Sequence, residues 1–282
     1  MDKFIIGCGY LGRRVLPLWR AGGHRVYTLT RSENRAGELR RLGAEPVVAD
    51  VLDPGSLKAL PRVDTALYCV GFDRSAGRSV REVYVNGLGN VLAALPPPGR
   101  FLYVSSTGVY GQQDGEEVDE AAATEPQEES GRVVLEAERL LRGRLPGAVV
   151  LRFAGIYGPG RVLRRQAVEA GEPLVGDPEK WLNLIHVEDG AAVVLAAEAR
   201  GEPGAVYNVC DDRPVRRRDF YALLARLLGA PEPRFVPPAP DSPPPGHEWA
   251  DRRVVNRRLR EELNVRLRYP SYEDGLRASL SV

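Results

Sequence analysis

Lysine is almost missing from this chain: among 39 basic side chains only Lys3, Lys58 and Lys180 are lysines, and the rest are arginines. Chemistry that needs an ammonium beside another reacting group is therefore confined to three positions. Cysteine is as scarce. Cys8, Cys69 and Cys210 form no metal-spaced pair and no disulfide framework, which suits a reducing cytosol. Net charge is nearly absent too, at +1, so nothing favours bulk attraction to nucleic acid or to an anionic membrane. No apolar run is long enough to span a bilayer, and the N-terminus lacks a basic stretch followed by an apolar one. These absences imply a soluble, cytoplasmic protein with a small-molecule partner, no nucleic acid, no membrane and no metal site.

What is present begins at once. Phe4-Ile5-Ile6 reads as a buried strand and runs into Gly7-Cys8-Gly9-Tyr10-Leu11-Gly12, a G-x-G-x-x-G. Val15, Leu16, Leu18 and Trp19 then follow with helical spacing. Between a strand and a helix this pattern marks a dinucleotide site. Gly7 makes the tight turn, Gly9 admits a pyrophosphate, Gly12 lets helix and strand pack closely, and the helix start offers N–H groups to the phosphates. A structural glycine-rich turn is the alternative.

Short apolar runs recur about every twenty residues early in the chain, with helical patterns between several of them. They are Phe4–Ile6, Val26–Leu29, Pro46–Val48 and Ala66–Val70, then Phe101–Val104 and Val149–Phe153. Val80, Val83, Tyr84, Leu88, Val91, Leu92 and Leu95 form the clearest helical stripe. Alternation of this kind predicts an α/β fold with a Rossmann-like, doubly wound parallel sheet. We expect a cofactor-binding domain over residues 1–155 and a smaller substrate lobe over 156–282, with about 182–210 packing back on the sheet. In the second part, Gly155–Gly160 reads as a loop, Val162, Leu163 and Val168 as helical, and Val187–Ala199 and Asp219–Leu228 as helices. Pro231–Gly246 is too rich in proline for helix or central strand; it reads as a flap over the site or as a stiff connector.

The second strand bears on the choice of cofactor. A site for NAD usually carries a carboxylate at its end, to bind the ribose 2′-hydroxyl. Here it ends in Thr30-Arg31-Ser32, with Arg35 one helical turn on. A guanidinium fork and hydroxyls suit a 2′-phosphate, which points to NADP(H) rather than NAD(H). A solvated arginine pair near Glu33 is the alternative. Asp50-Val51 would flank the adenine, unless it is only a turn before Pro54.

With these residues in view the sequence resembles the extended short-chain dehydrogenase/reductases, the NAD-dependent epimerase/dehydratase family. The likeness rests on Gly7–Gly12, on Val85-Asn86-Gly87, on Val104 to Gly111 (VSSTGVYG), and on Leu151 to Arg161 (LRFAGIYGPGR). It continues through Asn183 to Asp189 (NLIHVED) and Tyr207-Asn208-Val209. It implies that Ser106 holds the catalytic serine/threonine position, with Ser105 beside it and Thr107 toward the substrate. Asn86 and Phe153-Ala154-Gly155-Ile156 would lie near the nicotinamide, and Cys69-Val70-Gly71 along the cofactor with Tyr10 and Leu11.

The family's Tyr-x-x-x-Lys acid/base pair is absent. Its place falls in Ser130-Gly131-Arg132-Val133-Val134, with Ser130 in the tyrosine position and Val134 in the lysine position. No tyrosine precedes any of the three lysines by four residues. A serine hydroxyl is too weak an acid to substitute unaided, and general acid–base help is worth about 10²–10⁴-fold. Tyr110, Tyr157 and His186 are candidate replacements, each with a packing role as its alternative; His186 also counts as a substrate contact. Arg161 is the favoured anion contact among Arg164, Arg165, Arg216–Arg218, Arg252, Arg253, Arg257 and Arg258, for most of which a solvated surface is the default. Val133, Val134, Ala137, Leu140 and Leu141 form a stripe that would suit a homodimer, or burial against the chain's own sheet. Two functions follow: an NADP(H)-dependent oxidoreductase or epimerase with a non-standard site, or a non-catalytic NADP(H)-binding sensor.

Overall fold

Phe4, Ile5 and Ile6 are fully buried because the strand they form lies in the middle of a sheet covered on both faces. The computed structural model describes residues 1–239 and 250–281. In chain order its strands begin with β1 (Asp2–Ile6), β2 (Arg25–Thr30), β3 (Glu45–Val48), β4 (Thr65–Tyr68), β5 (Arg100–Ser106), β6 (Glu116–Val118), β7 (Val149–Phe153) and β8 (Gly155–Tyr157). They continue with β9 (Leu174–Val175), β10 (Trp181–Leu182), β11 (Leu184–His186), β12 (Val206–Val209), β13 (Val215–Arg216), β14 (Phe235–Val236) and β15 (Arg252–Val254). The helices are α1 (Gly12–Ala21), α2 (Glu33–Arg41), α3 (Gly87–Ala94), α4 (Glu129–Arg144), α5 (Arg165–Glu169), α6 (Val187–Arg200), α7 (Arg217–Leu228), α8 (Arg257–Glu262) and α9 (Tyr272–Leu280).

Seven strands form one parallel sheet in the order β12-β7-β5-β4-β1-β2-β3. Chain order reverses between β1 and β4, which makes a crevice at their carboxyl ends, the usual ligand site of such sheets. One apolar layer joins α1 and α6 to one face through Val15, Leu16, Trp19, Val193, Val194 and Ala197. The other joins α3 and α4 to the opposite face through Leu88, Val91, Val133, Ala137 and Leu141. This is the doubly wound, Rossmann-like α/β fold that the alternation of strands and helices predicts.

Of the stripe read for a homodimer or for burial, Val133, Ala137 and Leu141 lie in the layer on their own sheet, Val134 in a separate apolar cluster and Leu140 half-buried, while Arg132, Arg139 and Arg142 are exposed. Residues 184–210 return to the sheet through α6 and β12. A separate apolar cluster around Tyr157, Val168, Leu174, Phe220, Leu224 and Leu276 underlies the rest of the C-terminal part.

Two local readings change. Val80–Leu95 is interrupted, with a π-helical turn over Glu82–Asn86 before α3. Gly155–Tyr157, read as loop, is a short strand paired in parallel with Leu184–His186. Of the proline-rich segment, Phe235–Val236 pairs with Leu174–Val175, and residues 240–246 lie outside the described residues.

Candidate active site

The three glycines of the first turn differ in what surrounds them. Gly7 has φ of +93°, and a Cβ there would lie 2.7 Å from the Val70 backbone, so only glycine fits. Gly12 packs on β1, with Ile5 Cγ2 3.0 Å from the place of a Cβ. Gly9 faces open space: the nearest atom to its Cβ position is the Gly7 carbonyl at 3.9 Å. Cys69 closes the back of the turn, its thiol donating to the Gly7 carbonyl at 3.1 Å. Burial pushes that thiol far up, so it stays protonated. Helix α1 begins here with no side chain capping it and no acidic residue in its first turn, leaving its positive end toward the open side of Gly9. These features fit a dinucleotide pyrophosphate.

The adenosine end is cationic. Arg35 reaches back from α2 to donate to the Cys8 carbonyl at 3.0 Å, which sets its guanidinium over the glycine turn. Arg31 is exposed and faces Asp73, whose carboxyl it helps to hold low after the stronger effect of two hydrogen bonds from Ser75. Ser32 caps α2, accepting from the Arg35 N–H. Thr30 is buried, with its hydroxyl unpartnered among the described residues. Asp50 serves its own turn by accepting from the Leu52 N–H at 2.9 Å, and Val51 is buried against Gly87. Gly71 is exposed at the crevice, and Asn86 is exposed with its carbonyl oxygen accepting from Arg81 at 3.4 Å.

Ser106 ends β5, and its Oγ accepts from the Gly108 N–H at 3.1 Å. Beside it opens a cavity of about 680 Å³ lined by Ser106, Thr107, Tyr110, Gly155, Arg161 and Asn183 together with Glu128, Ser130, Trp181 and Arg252. Helix α4 reaches this cavity because Gly131 lets it touch the neighbouring loop: a Cβ at Gly131 would sit 2.3 Å from the Gly108 carbonyl. Arg252 is buried there. It donates to the Thr107 carbonyl at 2.8 Å, and its Nε–H has no partner among the described residues. Arg161 bridges the two regions. Its guanidinium lies 5.4 Å from the Tyr10 ring centre, and the Tyr10 hydroxyl donates to the Pro159 carbonyl at 3.1 Å. Arg164 and the buried Arg217 also line this cavity. Several other anion candidates are engaged at the surface: Arg165 with Glu169, Arg218 with Glu179 and Arg258 with Glu262, while Arg216 and Arg253 stack on Trp181.

The three candidate replacement acids are held by packing. The Tyr110 hydroxyl donates to Asn208 Oδ1 at 2.8 Å and accepts from Arg152 at 3.0 Å, so both its capacities are used. Tyr157 is fully buried beside Gly275, outside the cavity lining. His186 caps α6, its Nδ1 accepting from the Glu188 N–H, and it packs on Tyr269. Burial, with Arg14 and Arg268 nearby, lowers it to about 4, so it is neutral at pH 7. Ser105 points inward and donates to Glu138 at 2.6 Å. Phe153 and Ala154 are buried, and Ile156 is half-buried.

Sequence reasoning did not single out Glu128, or separate Arg252 from its arginine neighbours. It also missed the buried ion pair of Glu138 with Arg152, at 2.8 and 3.0 Å. For that pair a signal existed: an arginine inside the apolar run Val149–Phe153 demands a buried partner.

A parallel sheet with a switch-point crevice, a glycine turn and a helix start open to phosphate define a nicotinamide-dinucleotide-binding Rossmann protein. The sequence pattern of the NAD dependent epimerase/dehydratase family matches residues 4–210, and the chain belongs to that family. It is 32% identical to Protein YeeZ of Escherichia coli (strain K12) over 246 residues, covering 82% of this chain and 85% of the relative. It is 31% identical to a 3-diazoavenalumate denitrifying reductase from a Streptomyces species, covering 95% and 96% of the two chains. A functionally unknown conserved protein from Silicibacter pomeroyi has the same fold, with a TM-score of 0.80, 34% identity and coverage of 99% and 98%.

Proposed function

We propose that this chain is an NADP(H)-dependent oxidoreductase or epimerase acting on a small, anionic polar substrate of the nucleotide-sugar type, through a site without the Tyr-x-x-x-Lys pair. The observation that carries the reading is the cavity joining Ser106 to Arg161 and Arg252, with Arg161 in turn lying over Tyr10 of the glycine turn. Ser106 would polarise a substrate carbonyl or alcohol oxygen. Arg252, buried with an open N–H, suits a phosphate or carboxylate, and Trp181 and Phe235 on the same wall suit a flat ring. The bound dinucleotide would supply hydride chemistry. Gly7, Gly9 and the start of α1 would hold its pyrophosphate, and Arg31 and Arg35 its 2′-phosphate. The reductase relative supports redox chemistry in a chain of this length. A second reading is a non-catalytic NADP(H) sensor, favoured by Ser130 and Val134 standing where the proton-transfer pair belongs.

Fluorescence titration with NADPH and NADH in parallel tests the cofactor assignment. Tight NADPH binding with weak NADH binding is expected; equal affinities would refute the role given to Arg31 and Arg35. A screen of carbonyl and nucleotide-sugar substrates then separates enzyme from sensor. Restoring the missing pair with Ser130→Tyr and Val134→Lys is the companion test: gained turnover supports a rerouted active site, and none despite bound cofactor supports the sensor.

A further inference from the structure

The proton-carrying groups around the cavity can be taken in turn among the described residues. Its titratable lining consists of five arginines, Tyr110, Tyr221 and Glu128. Arginine holds its protons too tightly to exchange them near neutral pH. Tyr110 is committed at both its donor and its acceptor. Tyr221 is buried, edge-on to Phe220 and 6.1 Å from Phe235. Tyr84 stands near the crevice but outside this lining; burial raises its hydroxyl above the ordinary tyrosine value, and the hydrogen bond with the Phe72 backbone offsets only part of that. Glu128 remains.

Its setting is unusual for a residue at a helix start. Glu128 is the N-cap of α4, yet its side chain makes no capping bond. The carboxylate instead accepts from the Ser130 hydroxyl at 3.3 Å. Ser130 is exposed on the cavity side, and the contact of Gly131 with the Gly108 carbonyl fixes both residues beside the Ser106 loop.

We infer that Glu128, acting through the Ser130 hydroxyl, is the group that delivers and recovers the proton in this site, in place of the absent tyrosine and lysine. This inference rests on the oxidoreductase reading above. In the reductive direction a carbonyl carbon accepts hydride from the reduced dinucleotide and its C=O π bond breaks. The carbonyl oxygen takes the Ser130 hydroxyl proton. Ser130 regains a proton from the Glu128 carboxyl, and the carboxylate is reprotonated from water. The carbonyl is reduced to an alcohol, the nicotinamide is oxidised, and one solvent proton is consumed.

Electrostatics are consistent with that role. Burial raises Glu128 from its ordinary value, the Ser130 hydrogen bond offsets part of this, and Arg252 on β15 offsets a smaller part. Burial lowers Arg252 itself, and Glu128, then Tyr110 and Glu116 on β6, are the groups that face it.

The test uses the whole chain with NADPH, and phenanthrenequinone and nucleoside-diphosphate 4-ketosugars as probes. Glu128→Gln is expected to bind NADPH like the wild type but to reduce carbonyls about 10²–10⁴-fold more slowly. The wild-type rate should fall as pH rises through the Glu128 titration, and the variant should lose that limb. Glu128→Asp should recover part of the rate, and Ser130→Ala should resemble Glu128→Gln. A readout without cofactor is the carbon-13 titration of side-chain-labelled glutamate, assigned by loss of one signal in Glu128→Gln: the half-buried Glu128 should titrate above the exposed glutamates. Unchanged rate and pH profile in Glu128→Gln, or an ordinary titration of Glu128, overturns the inference while the oxidoreductase reading stands. NADPH binding with no turnover of any probe overturns both and leaves the sensor. No binding of either dinucleotide overturns the cofactor reading itself.

Discussion

Gly9→Ala separates binding from folding. The Gly9 backbone does not require positive φ, and its Cβ would meet only the Gly7 carbonyl, at 3.9 Å. The added methyl therefore strains nothing in the protein, and restricting the unfolded chain stabilises by about 0.4–1 kcal/mol. The same methyl occupies the space assigned to the pyrophosphate. Hydrogen bonds to a charged group are worth about 1.5–3 kcal/mol each. Losing two costs about 3–6 kcal/mol, which weakens Kd by about 10²–10⁴-fold. The assay pairs a fluorescence titration with NADPH and a thermal melt with and without NADPH. The expected result is an unchanged or slightly raised Tm without ligand, together with loss of the Tm increase that ligand gives the wild type. Gly7→Ala is the control. Its φ of +93° and the Val70 backbone at 2.7 Å predict destabilisation whether or not ligand is present. If Gly9→Ala binds NADPH within threefold of the wild type, the dinucleotide does not cross this turn.

Other expectations concern charge. Replacing Arg31 and Arg35 by glutamine should weaken NADPH binding by about 10–100-fold, as loss of charge-assisted hydrogen bonds does, and leave NADH nearly unchanged; parallel titrations decide this, and equal losses would refute it. Glu138→Gln leaves the Arg152 guanidinium buried without its counter-charge, so stability should fall by about 3–5 kcal/mol. Denaturant melts check this, and a loss below about 1 kcal/mol would refute the assignment. His186 is held near 4, below its unfolded value of about 6.5. Its neutral form is the one the fold accepts, so its contribution is intact above about 6.5 and is lost as pH falls toward 4. His186→Asn keeps a capping side chain and should flatten that part of the stability–pH curve; an unaltered curve would count against it.

Much of this was legible in the sequence because three signals coincided. At β1 and α1 the apolar run, the glycine spacing and the helical stripe all agree, and the structure follows them closely. The two-residue strands β9, β10, β13 and β14 were not legible, since two residues carry no periodicity. The π-helical turn before α3 was hidden for a related reason: one extra residue in a turn barely disturbs a helical stripe. In the site, Ser106 stood out by its motif. Arg252 did not, because an arginine beside another arginine reads as surface, and only the approach of β15 to β6 buries it. Glu128 was one of several acids before α4; its distinction is the contact of Gly131 with Gly108, more than twenty residues earlier in the chain.

The circuit of Ser105, Glu138, Arg152, Tyr110 and Asn208 ties β5, α4, β7 and β12 together in the interior. Each member satisfies another, so no single position can drift freely while the rest remain. A lineage that lost Glu138 would first carry an unbalanced cation in its core, and one that lost Arg152 an unbalanced anion. The two positions can therefore be exchanged only together, and the interior constrains them independently of whatever reaction the cavity beside them serves.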